Sequence, residues 1–284
     1  MRTLIHLSDL HFGRINNAVI QPLIDTIGQV KPDLIAVSGD LTQRARRDQF
    51  QDAQAFLRAL PFPQIVVPGN HDVPFYNVYA RFLLGLSRYR RYITDDLEPF
   101  HADSEIAVLG LNTSRAFALK GGRVSHAQVA RLAERLRALG DDVVKIIVTH
   151  HPFDLPQHYP SRALVGRARM ALTRLAGRGI DLFLAGHLHV SHAAPATLRF
   201  KTNGRSALFI QAGTATSTRE RGEANAFNVL YIDGPSITVE RYSWDLDHQL
   251  FIASASNTFR RTATGWEPTS TGISSPERVH TCGP

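Results

Sequence analysis

The chain carries a single cysteine, Cys282, with two methionines and two tryptophans among 284 residues. One cysteine closes no internal disulfide, so no disulfide framework holds the fold, and a reducing cytoplasm is expected. No apolar run approaches the ~18 residues of a membrane-spanning helix. The longest, around Ile146–Val148 and Leu182–Ala185, are strand-length. Met1–Ser8 has neither a long apolar segment nor a small-residue cleavage site, so no secretory leader and no membrane partner are expected. Internal repeats are absent. What is present is ordinary for a globular protein, with 43% hydrophobic and 20% charged residues. The length suits one large domain or two modest ones, with a sizeable core.

Acidic residues are outnumbered, 25 against 32 Lys and Arg, for a formal charge of +7. The basic residues, nearly all arginine, are scattered. The cluster Arg88-Tyr89-Arg90-Arg91 is too short for a nucleic-acid arm, so a nucleic-acid partner is not favoured. A positive balance suits a small anionic substrate.

Hydrophobic periodicity alternates between strand and helix over the first two-thirds. Thr3–Leu7, Leu34–Val37, Ile65–Val67, Ile106–Leu111, Val143–Val148 and Leu182–Leu184 read as strands. Ile20, Leu23, Ile24, Ile27 and Val30 recur at helical spacing and stop at Lys31-Pro32. Phe50, Ala53, Phe56, Leu57 and Leu60 form a second helical face. Ser125 with Gln128 predicts a capping box opening a helix through Leu139, and another helix is expected near Val165–Ala176. Beyond His189, Leu198–Lys201, Ala207–Gln211, Phe227–Ile232 and Ile237–Ser243 follow without helices and suggest an antiparallel finish. The folded domain is expected to end near residue 266. Glu267–Pro284, rich in Ser, Thr, Gly and Pro, is expected to be disordered.

Five strands are each followed by metal-ligand residue types: Asp9-Leu10-His11, Gly39-Asp40, Gly69-Asn70-His71-Asp72, His150-His151-Pro152 and Gly186-His187-Leu188-His189. Open α/β sheets gather ligands at the C-terminal edge of their strands, which would bring these blocks together. Imidazole and carboxylate donors without thiolate suit Zn, Fe or Mn. Asp9 and His11, like His187 and His189, are expected to share one side of an extended segment. Asp9, His11, Asp40, Asn70, His150, His187 and His189 make seven donors, where one tetrahedral zinc needs about four. Two metals sharing a bridge follow, and Asp40 is the natural bridging carboxylate. Two divalent cations outweigh the charge of Asp9 and Asp40, so the site would stay positive and take a phosphate ester. A pair of metals ~3.5–4 Å apart can activate water for in-line attack on phosphorus.

These blocks, in this order, resemble the calcineurin-like metallophosphoesterase signature over about Met1–Tyr242. The resemblance implies an α/β (α+β) architecture: a four-layer αββα sandwich of two mixed sheets flanked by helices. It implies that Asp9, His11, Asp40 and His189 hold one metal, and Asp40, Asn70, His150 and His187 the other. It also implies that a metal-bridging hydroxide attacks, that Asn70 helps stabilise developing charge, and that the non-ligand His71 binds phosphate and protonates the leaving oxygen. The spacings, with Leu111-Asn112-Thr113 and Gly121-Gly122, are most similar to bacterial class III cyclic-nucleotide phosphodiesterases and their glycerophosphodiesterase relatives. Leu41-Thr42-Gln43 after Asp40 departs from the arginine of serine/threonine phosphatases. A phosphodiesterase acting on small diesters such as cyclic AMP is therefore expected. A nuclease or a nucleotide-lipid pyrophosphatase on the same metal site is the alternative. A binding module on a decayed site is disfavoured by the intact ligand set. A homodimer is compatible with the resemblance, and no stretch of the chain decides it.

His151 is expected to point away from His150, Asp72 to steady the loop of His71, and His6 to be a buried or edge histidine. Segments 73–103 and 152–170 are candidate caps over the substrate, the alternative being a solvated loop for Phe153–Arg169 and core packing for the aromatics of Phe75–Tyr92.

Overall fold

Runs of β-branched and aliphatic residues seed the sheets. All four residues of β2 (Leu34–Val37), and Leu4 to Leu7 of β1 (Arg2–Leu7), are shielded from solvent, as strands covered on both faces must be. The computed structural model describes residues 1–74, 83–115, 121–156, 159–195, 206–219 and 222–272.

The strands form two mixed sheets. In the first, β1 lies at the junction of two regimes. On one side it pairs in parallel with β2, which pairs in parallel with β3 (Gln64–Val66). On the other it pairs antiparallel with β10 (Ala226–Asp233), which begins an antiparallel run through β11 (Ser236–Asp245), β12 (Leu250–Thr262) and β13 (Gly265–Gly272). In the second, β5 (Ile106–Gly110), β6 (Val144–Val148), β7 (Ile180–Ala185) and β9 (Leu208–Gln211) are parallel. β4 (Phe100–Ala102) and β8 (His192–Pro195) are its antiparallel edges.

Helices follow the apolar periodicity. α1 (Ile20–Val30) ends where Lys31 turns left-handed at φ 51° and donates its N–H to Ile27 O, just before Pro32. α2 (Arg47–Arg58) buries Phe50, Ala53 and Phe56, and a short α3 (Ser87–Tyr92) buries Tyr89. α4 (His126–Arg137) starts at the expected box, with Gln128 N donating to Ser125 Oγ (3.2 Å) and Ser125 N to Gln128 Oε1 (3.1 Å). α5 (Ala168–Leu175) completes the set.

Three apolar layers result. Leu4, Leu34 and Ile65 of the first sheet face Val108, Ile146 and Leu182 of the second. α1 and α2 cover the outside of the first sheet through Leu23, Ile27, Phe50 and Phe56. α4 and α5 cover the second through Val129, Leu132 and Leu172. This is the expected four-layer αββα sandwich.

Three expectations change. Residues 267–272 are not a disordered tail but the outer strand β13, paired with β12 as Arg260↔Glu267 and Phe259↔Pro268. Pro268 sits beside a register shift on an edge strand, where a missing N–H is tolerated. The strand at 207–211 does not join the antiparallel run, because β9 pairs in parallel with β7 in the other sheet. The segment at 153–155 is core rather than solvated loop: Phe153, Asp154 and Leu155 are buried, with Phe153 packed on Phe183. The strand expected at 198–201 and residues 273–284, like parts of both candidate caps, lie outside the described residues.

Candidate metal centre

Because β1–β3 run parallel in one sheet and β6 and β7 in the other, five strand ends deliver their loops to one edge. The backbone of those loops is unusual. Asp9, His11, Asp40, His187 and His189 all have positive φ, between 50° and 73°. The left-handed region is rare outside glycine and marks positions that surrounding structure over-determines. It also corrects the expectation of extended segments sharing one side: left-handed turns, not strand pleat, carry these residues, bringing Asp9 to His11 but sending His187 and His189 to different clusters. The loops touch closely enough to exclude side chains. A Cβ on Gly69 would collide with the Asp40 carboxylate, and one on Gly186 with Ser8 Oγ and the Asp9 carboxylate.

All seven sequence-identified donors meet in two clusters. In the first, Asp9 Oδ1 lies 3.2 Å from His189 Nε2 and 3.5 Å from His11 Nε2, and the two ring nitrogens are 3.3 Å apart. In the second, Asn70 Oδ1 lies 3.1 Å from both His150 Nε2 and His187 Nδ1. Asp40 joins them: its Oδ2 is 3.7 Å from His11 Nε2 and 3.4 Å from His150 Nε2, while Oδ1 accepts the His71 N–H at 2.8 Å.

The donor set fits a pair of cations. Asp9 Oδ1 is buried and has no hydrogen-bond partner. Its second oxygen is tied by Ser8 Oγ (2.6 Å) and His187 N (2.9 Å). His150 Nδ1 faces Ser38 O at 2.8 Å, and His189 Nδ1 faces Arg219 O at 3.2 Å. An N–H committed to a carbonyl leaves the Nε2 lone pair aimed inward. Around His150 the result is three acceptors converging, which only positive charge relieves. Electrostatics expresses the same demand. Burial acts to lower His150, but Asp40, Asp9 and the Ser38 carbonyl raise it to about 9. Burial would push Asp40 up, yet His150, His71 and His11 hold it below the ordinary carboxylate range. His187 is pushed down to about 4 by burial and by His150.

Other singled-out residues find places. His151 is not turned away from His150. The rings meet edge-on at 4.8 Å, with His187 4.6 Å from His151, and His151 Nδ1 lies 2.8 Å from Thr113 Oγ1. Asp72 stitches loops together, accepting from Gly69 N, Leu41 N, Thr42 N and Thr42 Oγ1. His6 is buried, its Nε2 2.9 Å from Ser38 Oγ, and burial pushes its pKa down to about 3.

Sequence reasoning missed Arg219. His71 Nδ1 donates to Gln43 O at 2.8 Å, and Arg219 Nη1 donates to His71 Nε2 at 3.1 Å. Both residues line, with Asp40, Asn70, His187 and Tyr159, a cleft of about 350 Å³ over the donors. Arg219 sits in no motif and on no periodic element, so no sequence signal marks it.

The family model for calcineurin-like phosphoesterases matches residues 2–191. The chain belongs to this family. As a calcineurin-like phosphoesterase it is an enzyme whose family uses a dinuclear metal centre. It is 30% identical over 204 residues to the glycerophosphodiester phosphodiesterase GpdQ of Enterobacter lignolyticus, covering 66% of this chain and 70% of that protein. It is 24% identical over 195 residues to a probable cyclic nucleotide phosphodiesterase of Rhodopseudomonas palustris, covering 64% and 70%. The fold matches a dimetal phosphatase from Danio rerio with a TM-score of 0.61 at 17% identity, over 84% of this chain and 95% of that one. No helix among the described residues is long and apolar enough to cross a membrane.

Proposed function

We propose that this phosphoesterase hydrolyses small phosphodiesters, cyclic AMP among the candidates, with Asp9, His11, Asp40 and His189 holding one metal and Asp40, Asn70, His150 and His187 the other. The observation that carries the reading is Asp40 Oδ2 standing between His11 and His150, one nitrogen in each cluster. Fe, Mn and Zn all suit these donors. A metal pair here supplies Lewis-acid polarisation of a phosphoryl oxygen and acidification of water.

The chain's own residues do the rest. Asn70 turns its carbonyl oxygen to the histidines and leaves its amide N–H groups for a phosphoryl oxygen, a charge-stabilising contact. His71 stands beside Asn70 with Nε2 in the cleft, and carries a proton to the leaving oxygen. A protonated Nε2 cannot accept from Arg219, so the guanidinium turns to the anionic phosphate as His71 takes up its proton. Substrate charge and acid catalysis are thereby linked through one side chain. The curated relatives, named as a glycerophosphodiester and a probable cyclic nucleotide phosphodiesterase, favour a diester over a monoester.

The test is hydrolysis of cyclic AMP, bis(4-nitrophenyl) phosphate and 4-nitrophenyl phosphate by metal-stripped protein with Mn restored. Diester turnover well above monoester turnover is expected. A monoester preference, or no turnover with two metals bound, overturns the reading.

A further inference from the structure

We propose that Tyr159 selects the substrate: its ring stacks on a nucleobase carried by the ester arm that stays on phosphorus. The inference rests on the phosphodiesterase reading above and names its substrate class, nucleotide diesters over diesters of glycerol and other open-chain alcohols. In a cyclic nucleotide both ester oxygens belong to one nucleoside, so its base is always on the retained arm.

The cleft over the donors has two halves. Asp40, Asn70, His71, His187, His189 and Arg219 make the polar one, which suits phosphate. Tyr159, Pro160, Ala163 and Leu188 make the other, with no charged side chain and no polar side-chain group besides the tyrosine hydroxyl. At about 350 Å³ the whole cleft is at the small end of ligand sites. It suits one molecule with a phosphate at one end and a flat apolar group at the other. A glycerol arm would instead desolvate its hydroxyls against a wall that offers them few partners.

The apolar wall is held in place. Its segment is closed at the base by Val165 N donating to Pro152 O at 2.9 Å and Gly166 N donating to Gly122 O at 2.7 Å. Phe153, Leu155 and Val165 are buried and anchor it, Phe153 against Phe183. Tyr159 N donates to Pro156 O at 3.0 Å and Ala163 N to Pro160 O at 2.9 Å, so both ends of the wall are turned by local bonds. Leu188 is buried, its N–H bonded to Gly186 O at 2.9 Å. Tyr159 itself is half-buried, and among the described residues its side chain has no hydrogen bond and no ring partner. An uncommitted aromatic ring lining a phosphate cleft is a stacking platform, since every base offers it a π-face.

The position assigns the arm. His71 comes from the loop after β3, in the first sheet, whereas Tyr159, Pro160, Ala163 and Leu188 come from loops after β6 and β7, in the second. The departing oxygen faces His71, so the group against the second sheet's loops is the one that remains.

The test uses two diesters with the same leaving group, thymidine 5′-(4-nitrophenyl phosphate) and methyl 4-nitrophenyl phosphate, with the Mn-loaded full chain. The ratio of their kcat/KM values cancels metal content and folding. It should fall about tenfold in Tyr159→Ala, the effect of losing one base–aromatic stack, and hold in Tyr159→Phe, which keeps the ring. A ratio unchanged in Tyr159→Ala overturns the platform, even where both substrates slow together, since that puts the ring on the shared leaving group or in the fold. A ratio lost equally in Tyr159→Phe overturns stacking in favour of the hydroxyl. Binding reads the same contact without turnover. By calorimetry, adenosine 5′-monophosphate should bind the wild type at least about tenfold tighter than methyl phosphate, and that advantage should shrink about tenfold in Tyr159→Ala. A wild type that turns over neither diester and no bis(4-nitrophenyl) phosphate refutes the phosphodiesterase reading, while the binding ratio still decides the platform.

Discussion

At the residue scale, chemistry and strain coincide. Five candidate ligands occupy left-handed backbone, and Asp and His are among the residues that tolerate it best. Their types were readable from the sequence because metal chemistry restricts them to few kinds at strand ends. Their conformation was not, since nothing in Asp-x-His separates a pleated segment from a turned one. Arg219 was invisible for a related reason: its role comes from a loop folding back across 148 residues to His71. Two predictions belong here. Asp40→Asn should leave about one metal per chain or fewer by elemental analysis and lower kcat/KM by more than about hundredfold, because its oxygen serves both clusters. Two metals retained with full activity would remove Asp40 from the bridge. His71→Ala should lower kcat by roughly 10²–10⁴ while both metals stay bound, as loss of a general acid does. Full turnover of an unactivated diester by that variant would exclude the acid role.

At the element scale, periodicity found what is apolar and overlooked what is anchored by one side chain. The amphipathic helices α1, α2 and α4 and strands β1, β2, β5 and β6 were legible because each carries a repeating apolar face. β12 was not: its centre, Ala253-Ser254-Ala255-Ser256-Asn257, alternates only alanine with serine and offers no large apolar side chain, and its long pairing with β11 is a tertiary fact. β13 has the composition of a tail, yet Trp266 is buried, donates Nε1–H to Asp181 Oδ1 at 3.2 Å and lies under the Arg261 guanidinium. Asp181 also accepts from Lys145 N at 2.9 Å and pairs with Arg261 at 3.0 Å. One indole thus fastens the last hairpin of the first sheet to β6 and β7 of the second. Trp266→Ala should cost about 3–5 kcal/mol, the range for deleting a buried tryptophan. Hydrogen exchange should show β12 and β13 losing protection first. Protection lost uniformly over both sheets would mean that the hairpin is not a separate unit.

At the scale of the whole molecule, the metal site is also a seam. Asp9, His11, Asp40 and Asn70 hang from the first sheet, and His150, His187 and His189 from the second. Buried acceptors from both meet with too little positive charge between them. Bound cations therefore join the sheets, and at a free concentration of 100 Kd they would add ≈ 2.7 kcal/mol to stability. For a chain of this size that is roughly 5–10 °C in Tm, from about 2–4 °C per kcal/mol. Without metal a proton takes the same place. Burial opposes it, but Asp40 and Asp9 raise His150 to about 9 in the folded state, above the ~6.5 of an unfolded histidine. A raised folded pKa adds stability that is complete below the unfolded value and lost as pH climbs to the folded one. Melting of chelator-treated protein should accordingly fall between about pH 7 and 9. Melting of the Mn-loaded protein should hold over the same interval, because metal binding at neutral pH displaces that proton. Parallel pH curves for the two forms would show that the cation does not occupy the place His150 and Asp40 make for it.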